Sequence, residues 1–424
     1  MVAMKGLFRP RPTQRPAAIA LDIGTEFVKA LIFEVQDGRG FVTGTAQERQ
    51  RLSDMQGGAV TDISGVINTA AAALDAAFSQ AGRSATQVVV GIAGELVKGS
   101  TTASTIIRSN SSSPITESEL REVISTAQKE ALRKSRKELS WETGYAEIDV
   151  QLVNSAVVGV KIDGYKVTNP IGFQGRQVEV SIYTAYAPAV HQGALQTIVE
   201  ELNLDLLSIA TEPYAVARCF GQQESDLSSI FIDVGGGTSD IAVVRSGGLE
   251  GTKMFALGGR TFTKRIASSL KVSFDEAEEI KLAYGDKRLD APDIERVKGF
   301  IQNDVDVWLS GIELALEEFT QSERFADNPL LPSRMYLCGG GSLLPDLFSA
   351  LETHPWKKRL PFAKVPEVQY IKPDQVTNVV DTTKSLTSVQ DVTPMALANL
   401  ALDLAGSETS VSSALNRVLR SLRS

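Results

Sequence analysis

Two glycine turns, each carrying an aspartate, end apolar strands far apart in the chain. The first sets Asp22 beside Gly24 and Thr25 after Ile19 to Leu21; the second sets Asp233 beside Gly235, Gly236, Gly237, Thr238 and Asp240 after Ile230 to Ile232. Glycine lets backbone N–H groups come close to an anion, and threonine adds a hydroxyl donor. A magnesium ion keeps most of its waters and takes few protein carboxylates, so one aspartate from each turn, Asp22 and Asp233, suits its water shell. The chemistry indicated is a polyphosphate with its magnesium gripped from two sides. Either turn could also be an ordinary hairpin, because Gly, Asp and Thr populate turns, and for Asp22 alone that is the better reading. A third run, Gly339, Gly340, Gly341 and Ser342, follows the apolar Met335 to Cys338 and opens a helical stretch, where a base or a phosphate can approach backbone. The competing P-loop needs Gly-Lys followed by Ser or Thr, and the sequence contains no Gly-Lys pair.

In their order, these three segments resemble the phosphate 1, phosphate 2 and adenosine motifs of the actin-like ATPase superfamily. Between them, Thr211-Glu212-Pro213 through Ala217 resembles the first connecting helix, whose acidic or amide side chain faces the metal and the attacking water. The resemblance gives Glu212 and Asp233 the catalytic positions. Leu257 to Ala267, with Gly258, Gly259 and Thr261, and Ala277 to Gly285, with Glu278 and Lys281, are similar to the FtsA and PilM branch, where the Glu and Lys lie near ribose and base. Being three apart, Glu278 and Lys281 share a helix face, which a plain surface ion pair would also explain.

Elements that would position these residues follow from periodicity. Strands are expected at Phe27 to Val35 and Gln87 to Gly94, and a helix at Ile63 to Gln80, where apolar residues recur at helical spacing. A Ser/Thr-rich stretch runs to Pro114, and Thr116 with Glu119 forms a capping box for a helix toward Lys137. A charged loop is expected next, then strands at Glu147 to Ala156, Val157 to Ile162 and Arg176 to Ala185; the charged stretch Lys134 to Glu142 ahead of them matches no feature of the FtsA family. Such an insertion resembles the one FtsA carries in place of an actin subdomain, and the Asp163-Gly164 turn with the loop Asn169-Pro170 to Gly175 matches FtsA better than PilM, although both are common turn formers. Helices are expected at Phe274 to Ala283 and Pro292 to Thr320, the latter with a buried stripe at Ile301, Val305, Trp308, Ile312 and Leu316.

The resemblance implies an α/β actin-like ATPase fold, two halves around a nucleotide cleft with an FtsA-type inserted subdomain. The expected divisions are a flexible arm at 1–16; subdomain 1A at 17–84 and 183–228; 1C at 85–182; 2A at 229–262 and 331–405; helical 2B at 263–330; and a linker with a C-terminal helix at 406–424. In FtsA the helical subdomain receives the C-terminal tail of FtsZ, which would place a partner surface near Arg296 to Phe319.

Composition bounds the class. With 424 residues, 43% hydrophobic and 22% charged, the chain has ample core for about three domains. A net charge of -8 argues against a nucleic-acid-coating protein. Cys219 and Cys338 suit reduced thiols, and with only His191 and His354 beside them they suggest no metal cluster. No stretch approaches the ~20 apolar residues of a spanning helix, and the basic arm Met1 to Pro16 is followed by no apolar signal region.

The last segment is amphipathic. At about 100° per residue Val411, Ala414, Leu415, Val418, Leu419 and Leu422 share a face, with Arg417, Arg420 and Arg423 opposite. This resembles FtsA's membrane-targeting helix; three arginines near an anionic surface contribute on the order of 3 kcal/mol. The alternative is docking on the chain's own domain or a neighbour's groove. A polymer presenting many copies would bind through avidity.

The expected protein binds ATP and Mg2+, polymerises head to tail on the cytoplasmic face of the inner membrane at the division site, and tethers the FtsZ ring there with other division proteins; no nucleic acid is expected. Hydrolysis, if any, would be slow, by positioning rather than a covalent intermediate. Alternatives are a PilM-like scaffold of a type IV pilus or secretion system, which would not need the tail, and a small-metabolite kinase, for which no acceptor-site pattern is found. A heat-shock-type chaperone would need a further substrate-binding domain for which the chain leaves no room.

Overall fold

The computed structural model describes residues 15–144, 148–221, 227–321, 329–362 and 364–405. The N-terminal arm to residue 14 and the amphipathic segment 406–424, with every residue expected to meet a membrane, lie outside the described residues.

The first sheet grows from an antiparallel meander: β1 (Ala17–Ile23), β2 (Phe27–Gln36) and β3 (Arg39–Arg49). A two-stranded ribbon, β4 (Met55–Gln56) and β5 (Ala59–Val60), leads into α1 (Ile63–Ala81), and β6 (Gln87–Ile92) then joins β1 in parallel. Helix α1 starts where the Asp62 carboxylate accepts the Gly65 N–H at 3.2 Å and stops at Gly82, whose φ of 65° no β-carbon opposes.

An insertion follows: β7 (Lys98–Ile107), α2 (Glu117–Thr143), β8 (Val150–Ile162), β9 (Tyr165–Lys166) and β10 (Gln177–Pro188). Its hydrophobic seam is Leu120, Val123, Ile124 and Ala127 of α2 against Val160, Val178, Val180 and Ile182. The Thr116–Glu119 capping box begins α2. The chain returns through α3 (Ala189–Glu201), β11 (Asp205–Thr211) and α4 (Glu212–Gly221), with β11 parallel to β6.

The second half repeats the plan with β12 (Ser229–Val234), β13 (Ser239–Arg245) and β14 (Gly248–Phe255). Helices α5 (Gly259–Leu270), α6 (Phe274–Gly285) and α7 (Ala291–Thr320) come next. Then come β15 (Arg334–Cys338), parallel to β12, α8 (Pro345–Thr353), β16 (Glu367–Tyr370), β17 (Val379–Asp381) and α9 (Val392–Ala405). On α7 the buried stripe Ile301, Val305, Trp308, Ile312 and Leu316 has helical spacing, and the Trp308 indole donates to Ser239 Oγ at 2.9 Å.

Five arrangements differ from the sequence reading. The Ser/Thr-rich stretch holds a full strand, β7, because β-branched threonines suit a strand whose neighbours supply the core. The helix expected to end near Lys137 runs on through Thr143 in place of the expected charged loop: Leu139 is buried, and Glu138 and Glu142 of the last turns pair with Lys253 at 3.0 Å and Lys98 at 2.6 Å on the sheet below. The two strands expected across 147–162 are one, β8, whose pairing with β10 shifts register between Ser181 and Ile182. Strand β6, expected within 85–182, belongs to the first sheet, in the order β11-β6-β1-β2-β3-β17. Finally, residues 379–405 do not stay with the second half: β17 pairs with β3, and Val392, Leu397, Ala398 and Ala401 of α9 are buried in the core of the first sheet.

The other sheet runs β16-β15-β12-β13-β14-β7-β10-β8-β9, so insertion and second half share one sheet through the β14–β7 pairing.

Candidate nucleotide site

Each phosphate-type turn sits at the tip of a hairpin, and the two hairpins are built alike. Asp22 on β1 lies across from Lys29 on β2, and Asp233 on β12 lies across from Asp240 on β13, both pairs seven residues apart. The turns close on themselves through Gly24 N–H to Phe27 C=O at 3.0 Å and Gly235 N–H to Thr238 C=O at 2.9 Å. They meet face to face: a β-carbon at Gly236 would lie 2.8 Å from that of Glu26, and one at Gly237 would lie 2.5 Å from Thr25 Oγ1. Only glycine backbone fits there, so these residues are fixed by the meeting of the two halves as well as by any ligand.

The third turn closes the floor. Gly339 has a φ of +84°, and a β-carbon there would collide with the Asp233 carboxylate; one at Gly341 would stand 2.8 Å from Gly235 O. The start of α5 is stitched to the same place by Gly259 N–H to Gly235 C=O at 2.9 Å and Arg260 N–H to Gly236 C=O at 2.8 Å.

One cavity results. Asp22, Gly24, Thr25, Glu212, Asp233, Gly235, Gly236, Gly237, Thr238, Gly259, Glu278, Lys281, Gly339, Gly340 and Gly341 all line it, as the sequence reading brought them together. Three expected residues do not line it. Ser342 is buried and spends its hydroxyl on Gly339 C=O at 2.7 Å, shaping the turn from behind. Gly258 packs against Gly235 O, and Thr261 N–H closes the Gly258 turn. On the far wall Lys281 Nζ donates to Glu278 at 2.8 Å, to Thr263 Oγ1 at 2.8 Å and to Gly259 C=O at 3.2 Å, so the pair is part of a half-buried network and not a solvated surface pair.

The lining also contains residues to which the motifs gave no role: Lys29, Asp240, Arg260, Gln390 and Thr393. Lys29 Nζ lies 3.7 Å from the Asp22 carboxylate and donates to Gln390 C=O at 2.6 Å. The Thr393 hydroxyl, on the first turn of α9, donates to Asp233 Oδ2. Lys29 and Asp240 had a readable signal, the seven-residue step from each turn aspartate across its hairpin. Gln390 and Thr393 had none, since they arrive from the end of the chain.

Four carboxylates, Asp22, Glu212, Asp233 and Asp240, are thus buried together. Burial raises the pKa of each, and for Asp22, Glu212 and Asp240 mutual repulsion adds to it. Lys29 opposes the rise at Asp22, and the Thr393 hydrogen bond opposes it at Asp233. Asp240 Oδ1 is buried with no hydrogen-bond partner. A cluster of this kind is ready for a cation, and the glycine turns around it for an anion. Among the described residues no group of three His, Cys, Asp or Glu side chains converges to hold a metal directly. Cys219 and Cys338 are free and buried, the latter against Asp233, which together with burial pushes its thiol pKa well up.

Comparison with known proteins agrees with this architecture. Residues 230–388 match the family model "Cell division protein FtsA". The chain is 30% identical over 267 residues to cell division protein FtsA of Neisseria meningitidis serogroup B, covering 62% of this chain and 60% of that one. It is 24% identical over 347 residues to cell division protein FtsA of Bacillus subtilis, covering 78% of this chain and 75% of that one. Among solved structures it resembles the PilM-PilN type IV pilus biogenesis complex, with TM-score 0.63, 18% identity and 93% and 99% of the two chains covered. MreB5 of Spiroplasma citri bound to ADP gives TM-score 0.51 at 13% identity, covering 93% and 99%. These two likenesses concern the fold, which is the actin-like one. The chain thus resembles the FtsA family of actin-like cell division proteins, whose model it matches over residues 230–388.

Proposed function

We propose that this protein is an ATP-binding, actin-like component of the cell division machinery that forms head-to-tail filaments at the inner membrane and tethers the FtsZ ring there. The observation that carries the nucleotide part is the glycine-walled cavity into which both halves send buried carboxylates, with Lys29 beside them. The division role rests on the FtsA relatives and the membrane role on the amphipathic segment 411–424.

The residues fit a magnesium-bound nucleotide. The unpartnered Asp240 Oδ1 and the clustered carboxylates lack only positive charge, and Asp22, Asp233 and Asp240 would hold the ion through its waters. The ion would neutralise phosphate charge. Around it, Lys29 would balance phosphate oxygens, the turn N–H groups and the Thr25 and Thr238 hydroxyls would bind them, and Glu278 with Lys281 would meet the ribose and base. Glu212 and Asp233 would orient a water, and turnover would be slow, as befits a switch.

Isothermal titration with ATP, with and without Mg2+, tests the core of this reading. Wild-type protein should bind MgATP, and Asp22→Asn or Asp233→Asn should weaken it by at least about tenfold, roughly 1.4 kcal/mol. No MgATP binding by the wild type would overturn it. Electron microscopy of the full chain with ATP on an anionic lipid monolayer tests the filament and the tether; filaments that form equally without 411–424 would refute the tail's role.

A further inference from the structure

The face of α2 turned away from the core carries a row with a definite spacing. Lys129, Arg133, Lys137 and Trp141 succeed one another at four-residue steps, and Lys134 and Arg136 flank them; all six are exposed, Trp141 at 86%. Among the described residues none of the five cations has an ion-pair partner. Two acidic residues near the same helix end are already paired with lysines of the sheet, Glu138 with Lys253 and Glu142 with Lys98. In a chain of net charge -8, this is a local basic strip ending in an indole.

We infer that this strip is a docking site for an acidic, extended segment of a partner polypeptide. On a helix a four-residue step rises about 6 Å, and along an extended strand alternate side chains stand about 6.6 Å apart. Three acidic residues at alternate positions therefore fall opposite Lys129, Arg133 and Lys137, and an apolar residue two places further on lies on Trp141. Trp and Arg are among the residue types enriched at interface hot spots, and the lysines beside them add charge complementarity that steers an acidic partner. A narrow peptide also avoids Glu130 and Glu142, exposed beside the row, which a charged bilayer or a nucleic-acid duplex would meet as well.

The protein reports on this site itself, since Trp308 and Trp356 are buried at 0% and 1% exposure and acrylamide reaches Trp141. The probe is a capped heptapeptide alternating glutamate and serine and ending in leucine. Its comparators are the same composition with contiguous glutamates, phosphatidylglycerol vesicles, and a single-stranded oligonucleotide of matched charge. With full-length protein the alternating peptide should shield Trp141 from acrylamide. It should lose about tenfold in affinity in Lys129→Glu/Arg133→Glu/Lys137→Glu. Binding should also weaken between about 50 and about 200 mM salt. Absence of shielding in the wild type, undiminished affinity in the triple variant, equal binding of the contiguous peptide, or stronger shielding by vesicles or oligonucleotide would each overturn the assignment.

Discussion

Asp240 is the side chain with most to gain from a ligand. It is 2% exposed, one oxygen has no partner, the other stands 3.5 Å from Thr238 Oγ1, and Asp233 faces it across the hairpin. Burial and that neighbour hold its carboxyl well above the 3.8 of a free aspartate. A raised carboxylate pKa means that the folded state binds more protons than the unfolded one, so this group's contribution falls as pH rises above the unfolded value. Asp240→Asn removes the charge and keeps the shape. Without divalent ions it should melt with the parent near about pH 4 and above it near about pH 8, by about 1.4 kcal/mol for each unit of upward shift. With Mg2+ and nucleotide the order should reverse. Thermal melts across pH decide this, and a constant difference between variant and parent would remove the argument. The same residue marks how far the site was legible. The turn aspartates announce themselves through glycine, whereas Asp240 and Lys29 act from the opposite strand of each hairpin and carry no local signature except spacing. Thr393 reaches Asp233 from 160 positions away, a contact that no local pattern encodes.

At the scale of elements, the seam between insertion and second half depends on Gly99. It pairs with Thr252 across β7 and β14, and a β-carbon there would overlap the Thr252 hydroxyl and the Tyr183 phenol. Tyr183 bonds Thr211 and Thr252 at 3.0 Å each, tying first half, insertion and second half at one point, and its burial raises the phenol's pKa. Gly99→Val should therefore cost about 1–3 kcal/mol from overpacking, more if those hydrogen bonds break. Gly159→Ala, where the nearest atom would be Ser181 Cβ at 3.7 Å, should change stability by less than about 0.5 kcal/mol. Urea titrations of the two variants compare these costs directly; equal midpoints would mean that the seam contributes nothing. Periodicity identified α1, α6 and α7 nearly to the residue because their buried stripes are local. It missed β7, whose Ser/Thr composition becomes strand only when β14 and β10 flank it, and it could not tell that β17 and α9 return to the first sheet. Both outcomes follow from long-range pairing, which leaves no trace within a short window.

On the scale of the whole molecule, the two halves are clasped at the wall of the cavity by Glu26 and Arg260. They stand 2.6 Å apart with side chains only 13% and 9% exposed; Arg49 also bonds Glu26 at 2.7 Å and reaches Asp275 of α6 at 3.0 Å. Arg260 donates further to Met55 C=O at 3.3 Å, so a single guanidinium joins α5 to the turn and ribbon of the first half. Both residues line the cavity, so a nucleotide lying between the turns would lie against this clasp. The inner pair is shielded from solvent and salt, while the outer pair is not, Asp275 being 76% exposed. Removing one partner of a buried pair strands the other charge, at a cost of up to about 3–5 kcal/mol, which Arg49 should reduce here by keeping Glu26 paired. Arg260→Met, which keeps the apolar stem, should thus lower stability moderately and speed release of a fluorescent ATP analogue by about tenfold or more, the equivalent of about 1.4 kcal/mol. Asp275→Asn should leave release within about twofold, as an exposed ion pair contributes under about 1 kcal/mol. Stopped-flow displacement separates the two. Faster release in both variants would mean that the outer pair carries the clasp, and unchanged release in both would mean that nucleotide leaves by another path.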